Sequence, residues 1–339
     1  MHSTTFPGGE IRGQLGVARS IDYDGDGRQD HSIMRAPVVA PPGVAQITFH
    51  NRLSFTGQHS PTVFGDNNTD VAAPGDYDGD GLGDIAVFRT LAAVGSQSTF
   101  YIMRSSDGVV QGVHWGVRGD IVCARDYDGD GMTDPAVFRR GAVAGAQAYF
   151  FIKENTTGLQ RTVPFGTTGN PTNAFDSPVP GDYDGDGKFD IAIYRFGMAP
   201  NNTFIVLRSS DGTISYTPFG NFNSDWIVPG DYDGDGKHDY AVARIGAGGS
   251  SPLIWYILQS STGTVTYTQF GLTSDTPFPR GPTQGDYDGD ARTDISVYRP
   301  GATTGAQSYF WTLRSLDQTA TATPWGVRGD IAVNAFDAR

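Results

Sequence analysis

Asp76-Tyr77-Asp78-Gly79-Asp80-Gly81-Leu82-Gly83-Asp84 is the stretch on which the reading of this chain turns. Carboxylates stand at its positions 1, 3, 5 and 9, and glycines at positions 4 and 6 allow a sharp backbone path. The same nonapeptide pattern begins again at Asp22, Asp126, Asp182, Asp231 and Asp286, at intervals of 54, 50, 56, 49 and 55 residues. Chance does not place six such matches at so regular a period. A fixed period near fifty residues marks a repeat architecture.

More than the loop repeats. Five residues past each final Asp stands an arginine: Arg35, Arg89, Arg139, Arg195, Arg244 and Arg299. An apolar run such as Ile85 to Phe88 fills the gap and reads as a strand buried on both faces. Next come a variable loop, an aromatic strand such as Ser98 to Arg104, and a turn such as Asp107-Gly108 or Asp211-Gly212. A Thr/Val-rich strand then ends in an aromatic-Gly pair: Phe64-Gly65, Trp115-Gly116, Phe165-Gly166, Phe219-Gly220, Phe270-Gly271 and Trp325-Gly326. A short strand such as Val179-Pro180-Gly181 leads into the next Asp loop.

Each unit is thus four short strands, the size of a propeller blade. The expectation is an all-β fold, a β-propeller of six four-stranded blades, with a seventh blade, an open array of β-units or two smaller barrels as alternatives. The units run approximately 22–75, 76–125, 126–181, 182–230, 231–285 and 286–337 within a single repeat domain, 1–339. Composition agrees, since the only lysines are Lys153, Lys188 and Lys237 and the only glutamates Glu10 and Glu154, so strong helix formers are scarce. The ends carry surplus strand material: Thr4 to Ser20 resembles the last two strands of a unit, and Trp325 to Asp337 supplies another blade end. Those strands are expected either to close the ring or to pair with a neighbouring molecule, because unpaired sheet edges are avoided.

The loops read as calcium sites. Ca²⁺ takes six to eight oxygens in irregular geometry, and alternating aspartates in a tight turn converge their carboxylates. The expected ligands are Asp22, Asp24, Asp26 and Asp30; Asp76, Asp78, Asp80 and Asp84; Asp126, Asp128, Asp130 and Asp134; Asp182, Asp184, Asp186 and Asp190; Asp231, Asp233, Asp235 and Asp239; and Asp286, Asp288, Asp290 and Asp294. Position 7 would add a backbone carbonyl from Arg28, Leu82, Met132, Lys188, Lys237 or Arg292. Position 12 holds Ile33, Val87, Val137, Ile193, Val242 or Val297, never the glutamate of an EF-hand. A strand follows where an EF-hand has a helix, so the sites read as structural. The sixth loop has Ala291 in place of glycine and is expected to be the weakest of up to six.

These loops and the aromatic-Gly pairs resemble the FG-GAP/VCBS repeat family, the calcium-binding propeller blades of integrin α-subunits and of many bacterial surface proteins. The resemblance covers nearly the whole chain. It implies a propeller fold and structural calcium but names no ligand.

The formal charge of −13 belongs to the loops. Twenty-four of the 37 acidic residues lie in them; without those the chain would stand at +11, and six divalent ions would bring the assembled protein to about −1. An acidic surface argues against nucleic-acid partners. No stretch approaches the roughly 18 apolar residues of a membrane span. The N-terminal MHSTTFPGGE lacks the basic and apolar regions of a signal peptide, and a lone cysteine, Cys123, excludes an intrachain disulfide.

The expected role is non-enzymatic: an extracellular or cell-surface, calcium-stabilised module with a structural or adhesive function, able to self-associate head-to-tail through its terminal strands. A lectin-like propeller and a polysaccharide lyase on the same scaffold are the alternatives. The protein or glycan surface ligand is unnamed. The six histidines share no repeat position. Arg118-Gly119-Asp120 and Arg328-Gly329-Asp330 spell an integrin-binding tripeptide, but their Gly-Asp reads as part of the repeat, comparable with Gly65-Asp66. The repeated arginines are expected to pair with a backbone carbonyl or a neighbouring-blade acid, and the loop tyrosines to pack between blades.

Overall fold

The computed structural model describes residues 21–36, 45–93, 95–169, 175–197, 202–221, 224–275 and 282–334. Six antiparallel sheets form a ring, a six-bladed propeller. Blade two runs from its inner strand outward as Asp70–Ala72, Ile85–Arg89, Gln97–Met103 and Val110–Val117. Blades three, four and five repeat it, beginning at Ile121–Val122, Asp176–Pro178 and Asp225–Ile227. In blade six the strands are Ile295–Arg299, Gln307–Leu313 and Ala320–Val327, and the Thr283 amide donates to the Ser296 carbonyl where the inner strand runs elsewhere.

Blade one closes the ring. Its three sequential strands, His31–Arg35, Gln46–Arg52 and His59–Asp66, take their inner strand from the far end of the chain, Ile331–Ala332. Met34 pairs with Ile331 and Ile33 with Ala332. The Trp325 indole also donates across the seam to the His50 carbonyl (3.0 Å). The strand that looked surplus is therefore the latch. The N-terminal segment Thr4 to Ser20 lies outside the described residues.

Burial follows strand position. Second strands are buried on both faces, as in Ala86, Val87 and Phe88, because each blade packs between two others. Third strands alternate, as in Ala146–Lys153, and outer strands expose every second residue. The aromatic-Gly pair has a local cause. Gly65, Gly116, Gly166, Gly220, Gly271 and Gly326 all have positive φ, and the third-to-outer strand register shifts beside most of them, as between Gln97 and Thr99. A Cβ on Gly116 would stand 3.1–3.2 Å from Phe88, Val137 and Asp120. The glycine admits a β-bulge and the close approach of the next blade.

Candidate metal centre and the opposite blade ends

Each Asp loop leads into a blade's second strand, from the inner strand in blades two to five, and the hairpin between third and outer strands covers it. The position-1 carboxylate accepts the amides of positions 4 and 6, as in Gly79 (2.7 Å) and Gly81 (3.0 Å) on Asp76. The position-9 carboxylate accepts the position-2 tyrosine amide on one oxygen and a hairpin amide on the other: Tyr77 (2.8 Å) and Ser105 (2.7 Å) on Asp84. This arrangement recurs in all six loops. In the sixth, Ala291 still donates to Asp286 (2.9 Å), but with φ +69°, the left-handed region that costs a side-chain-bearing residue roughly 1 kcal/mol.

Positions 1, 3 and 9 converge. One carboxylate oxygen from each of Asp76, Asp78 and Asp84 lies within 4.8 Å of the others, and likewise for Asp22, Asp24 and Asp30; Asp126, Asp128 and Asp134; Asp182, Asp184 and Asp190; and Asp231, Asp233 and Asp239. Position 5 lies outside these trios, and hairpin hydroxyls bond it as they bond Asp78, Asp184 and Asp233 at position 3. Asp26, Asp80, Asp130, Asp235 and Asp290 take a hairpin hydroxyl, from Ser54, Ser105, Thr156, Ser260 and Ser315. In all six loops the position-7 amide donates to the position-5 carboxylate, as Lys188 does to Asp186 (2.9 Å).

The trios fit a hard cation. They offer only oxygen, and Asp24 Oδ1 and Asp233 Oδ1 are buried without any hydrogen bond. Burial raises the position-9 carboxyls, to about 7 at Asp30, Asp134 and Asp239 and about 6 at Asp84, Asp190 and Asp294. Desolvation with no opposing charge in the trio is the cause. Loop six differs: the Arg314 guanidinium reaches Asp288 (3.4 Å).

The loops are chained together. The position-8 amide of each donates to the position-1 carbonyl of the loop before it: Gly83 to Asp22, Thr133 to Asp76, Phe189 to Asp126, His238 to Asp182 and Thr293 to Asp231, at 2.6–2.9 Å. Gln29 to Asp286 (2.5 Å) completes the circle. Position-7 side chains lie over the preceding loop's position-4 glycine, where a Cβ on Gly79 would strike Met132 at 2.9 Å. The loop tyrosines pack between blades, Tyr77 beside Ala124 and Val137, and Tyr77 donates its hydroxyl to the Ala73 carbonyl (2.8 Å).

At the opposite ends of the blades, aspartates meet protein cations. Arg35–Asp330, Arg89–Asp70, Arg139–Asp120, Arg195–Asp176, Arg244–Asp225 and Arg299–Asp275 are bidentate pairs at 2.7–2.9 Å. The acid belongs to the same blade, entering its inner strand, and not to a neighbour. It also accepts an amide from the preceding blade's outer strand, as Asp120 does from Val117 (2.8 Å). Both tripeptide aspartates, Asp120 and Asp330, are such acceptors with side chains 1% and 2% exposed, so neither is displayed. Their counterpart in blade two is Asp70 and not Asp66, which corrects the sequence alignment.

Sequence reading passed over the histidines because they fit no repeat position. His50 and His59 in fact share a hydrogen bond (2.8 Å) beside Trp325 at the seam, and His31 is buried there against Tyr287 and Phe310. Departure from the repeat at one blade was the available signal.

No curated protein matches the chain. Among solved structures it is similar to AofleA from Arthrobotrys oligospora, with TM-score 0.55 and 11% identity over 95% of this chain and 96% of that one. A triple arginine-to-alanine mutant of the same protein gives 0.54 and 12% over 95% and 97%. At that identity the likeness speaks to fold alone. A family model described as FG-GAP-like repeat matches residues 95–193 and 231–297, which span the Asp loops at 126–134, 182–190, 231–239 and 286–294. With aspartate loops and aromatic-Gly corners repeated through the blades, the chain is a six-bladed propeller that matches the FG-GAP-like repeat over those two stretches.

Proposed function

We propose that this protein is a calcium-stabilised extracellular scaffold, a structural or adhesive module and not an enzyme. One observation carries the reading: carboxylate trios without a paired cation recur around a ring whose loops are hydrogen-bonded to one another. Asp22, Asp24 and Asp30 and their counterparts would hold the ion, with position-5 carboxylates and position-7 carbonyls as the further candidates. The ion would supply the positive charge the trio lacks. At a dissociation constant near 10 μM in the roughly millimolar calcium outside cells, each site would contribute about 2.7 kcal/mol. Six would exceed the ~5–15 kcal/mol net stability of ordinary domains.

A non-catalytic role is supported by where the acids go. Every buried carboxylate among the described residues lies in an Asp loop, in an Arg–Asp pair or, for Glu154, against Arg161. Self-association through terminal strands would have to use residues 4–20, since Ile331–Ala332 already completes blade one. Light scattering on the calcium-loaded chain separates the cases: a concentration-independent monomer ends the self-association reading. For the scaffold reading, differential scanning calorimetry with and without chelator is decisive, and coincident traces would refute it.

A further inference from the structure

Four of the six blades pair apolar or aromatic residues where the second strand begins and the third strand ends, and blade one departs furthest from them. The second strand's first residue pairs with the third strand's last: Ile85 with Met103, Ile191 with Leu207, Tyr240 with Leu258 and Ile295 with Leu313. In blade three Pro135 and Lys153 meet there. In blade one the pair is His31 and Arg52. On the blade that faces it, Thr312 stands where blades two to five have Ile102, Ile152, Val206 and Ile257. Packing alone does not ask for His31 or Thr312, since apolar or aromatic residues fill the same places in blades two to five, and Arg52 has a basic counterpart only in Lys153 of blade three.

What they line is a cavity of about 270 Å³ between blades six and one, just under the ~300–1,000 Å³ of small-molecule sites. Three guanidiniums reach it, from Arg28, Arg52 and Arg314, against one carboxylate, Asp288. Arg314 is shared with Asp288 and Asp317. No ion pair engages Arg28 or Arg52 among the described residues, so the cavity is cationic inside an acidic protein. His31 is 8% exposed, lines the cavity, and its Nδ1 has no hydrogen-bond partner. Thr312, Thr321 and Thr323 add a row of hydroxyl-bearing side chains.

We infer that this seam cavity is a binding site for a sugar ring bearing an anionic group. The guanidiniums suit a carboxylate or sulfate, which arginine binds through parallel N–H donors. Thr321, Thr323 and His31 suit the hydroxyls that the same ligand carries, while the buried Thr312 hydroxyl is bonded to Ser296 (3.1 Å). A bare inorganic anion would leave these unmatched, and a neutral sugar would leave the arginines unmatched. The site goes beyond the scaffold reading, and two of its determinants, His31 and Arg52, lie outside the Asp loops, so the two can fail separately.

The test restores the repeat. Arg52→Leu and His31→Ile install residues that other blades carry and leave every loop aspartate in place. In saturating calcium, titration calorimetry with glucuronate, glucose 6-sulfate and glucose should show binding of one or both anionic sugars at one site and at least tenfold weaker binding of glucose. Either variant should melt no lower than the parent and lose binding at least tenfold. Glucose binding as tightly as the anionic sugars, unchanged affinity in both folded variants, or no heat with either anionic sugar would each overturn the assignment. Sulfate preferred over carboxylate identifies the anion and supports the site. A melting curve indifferent to chelator would remove the calcium reading alone.

Discussion

The two ends of every blade solve one problem in opposite ways. At one end Asp70, Asp120, Asp176, Asp225, Asp275 and Asp330 are buried against arginines on the adjacent strand. At the other, three carboxylates crowd within 4.8 Å with backbone amides as their chief partners. Amides orient a carboxylate but supply no net charge. The arginine end is complete as protein alone, whereas the loop end calls for a cation from outside. The fold thus has a self-sufficient end and a conditional one.

Removing calcium should break the conditional end first. Chelator is expected to lower the melting temperature by tens of degrees or unfold the chain, because six linked sites are lost together. Replacing one central carboxylate, Asp84→Asn, should cost about 2–3 kcal/mol in millimolar calcium, the contribution of a single site, and nothing comparable in chelator. Denaturant titration under both conditions measures this.

The arginine end should behave in reverse. Arg244→Leu strands Asp225, whose side chain is fully buried; the guanidinium is itself about a third exposed, so screening holds the loss to roughly 1–2 kcal/mol. The loss should be the same with and without calcium. A calcium-dependent loss would mean that the two ends are coupled.

Acidity sharpens the contrast. The position-9 carboxyls titrate near 6–7 in the folded, metal-free chain, through burial, against about 3.9 when unfolded. A raised folded value means that protons favour the folded state, so this contribution is full below about pH 4 and fades as pH rises through 6–7. Chelated protein should therefore melt higher at pH 5.5 than at pH 7.5. Calcium-loaded protein should do the opposite, since protons compete with the ion. Smallest of all, Ala291→Gly should relieve the φ of +69° for a gain of about 0.5–1 kcal/mol; a loss would show that loop six has adapted to alanine.

Much of this was legible in the residues because the repeat states each requirement six times. A glycine needed for positive φ recurs as Gly65, Gly116 and their counterparts, and strands buried on both faces read as runs such as Ile191 to Tyr194. Features that occur once, or join distant residues, were not legible. Nothing local marks Ile331 as the partner of Met34, because closure depends on how many blades complete a turn. The arginines were visible, but their acids vary in spacing from the aromatic-Gly pair, four residues from Gly116 to Asp120 and ten from Gly166 to Asp176. The converging trio could not be separated from the position-5 aspartates, since all four positions carry the same residue and the loop's folded path decides which carboxylates meet.

Calorimetric titration of calcium into chelator-treated, dialysed protein, followed by thermal melting of the same sample, is the direct test of the account. It predicts up to six ions bound per chain, five if loop six is too weak to register, with the melting temperature climbing as the sites fill. No calcium heat and a melting curve that calcium leaves unmoved would contradict it.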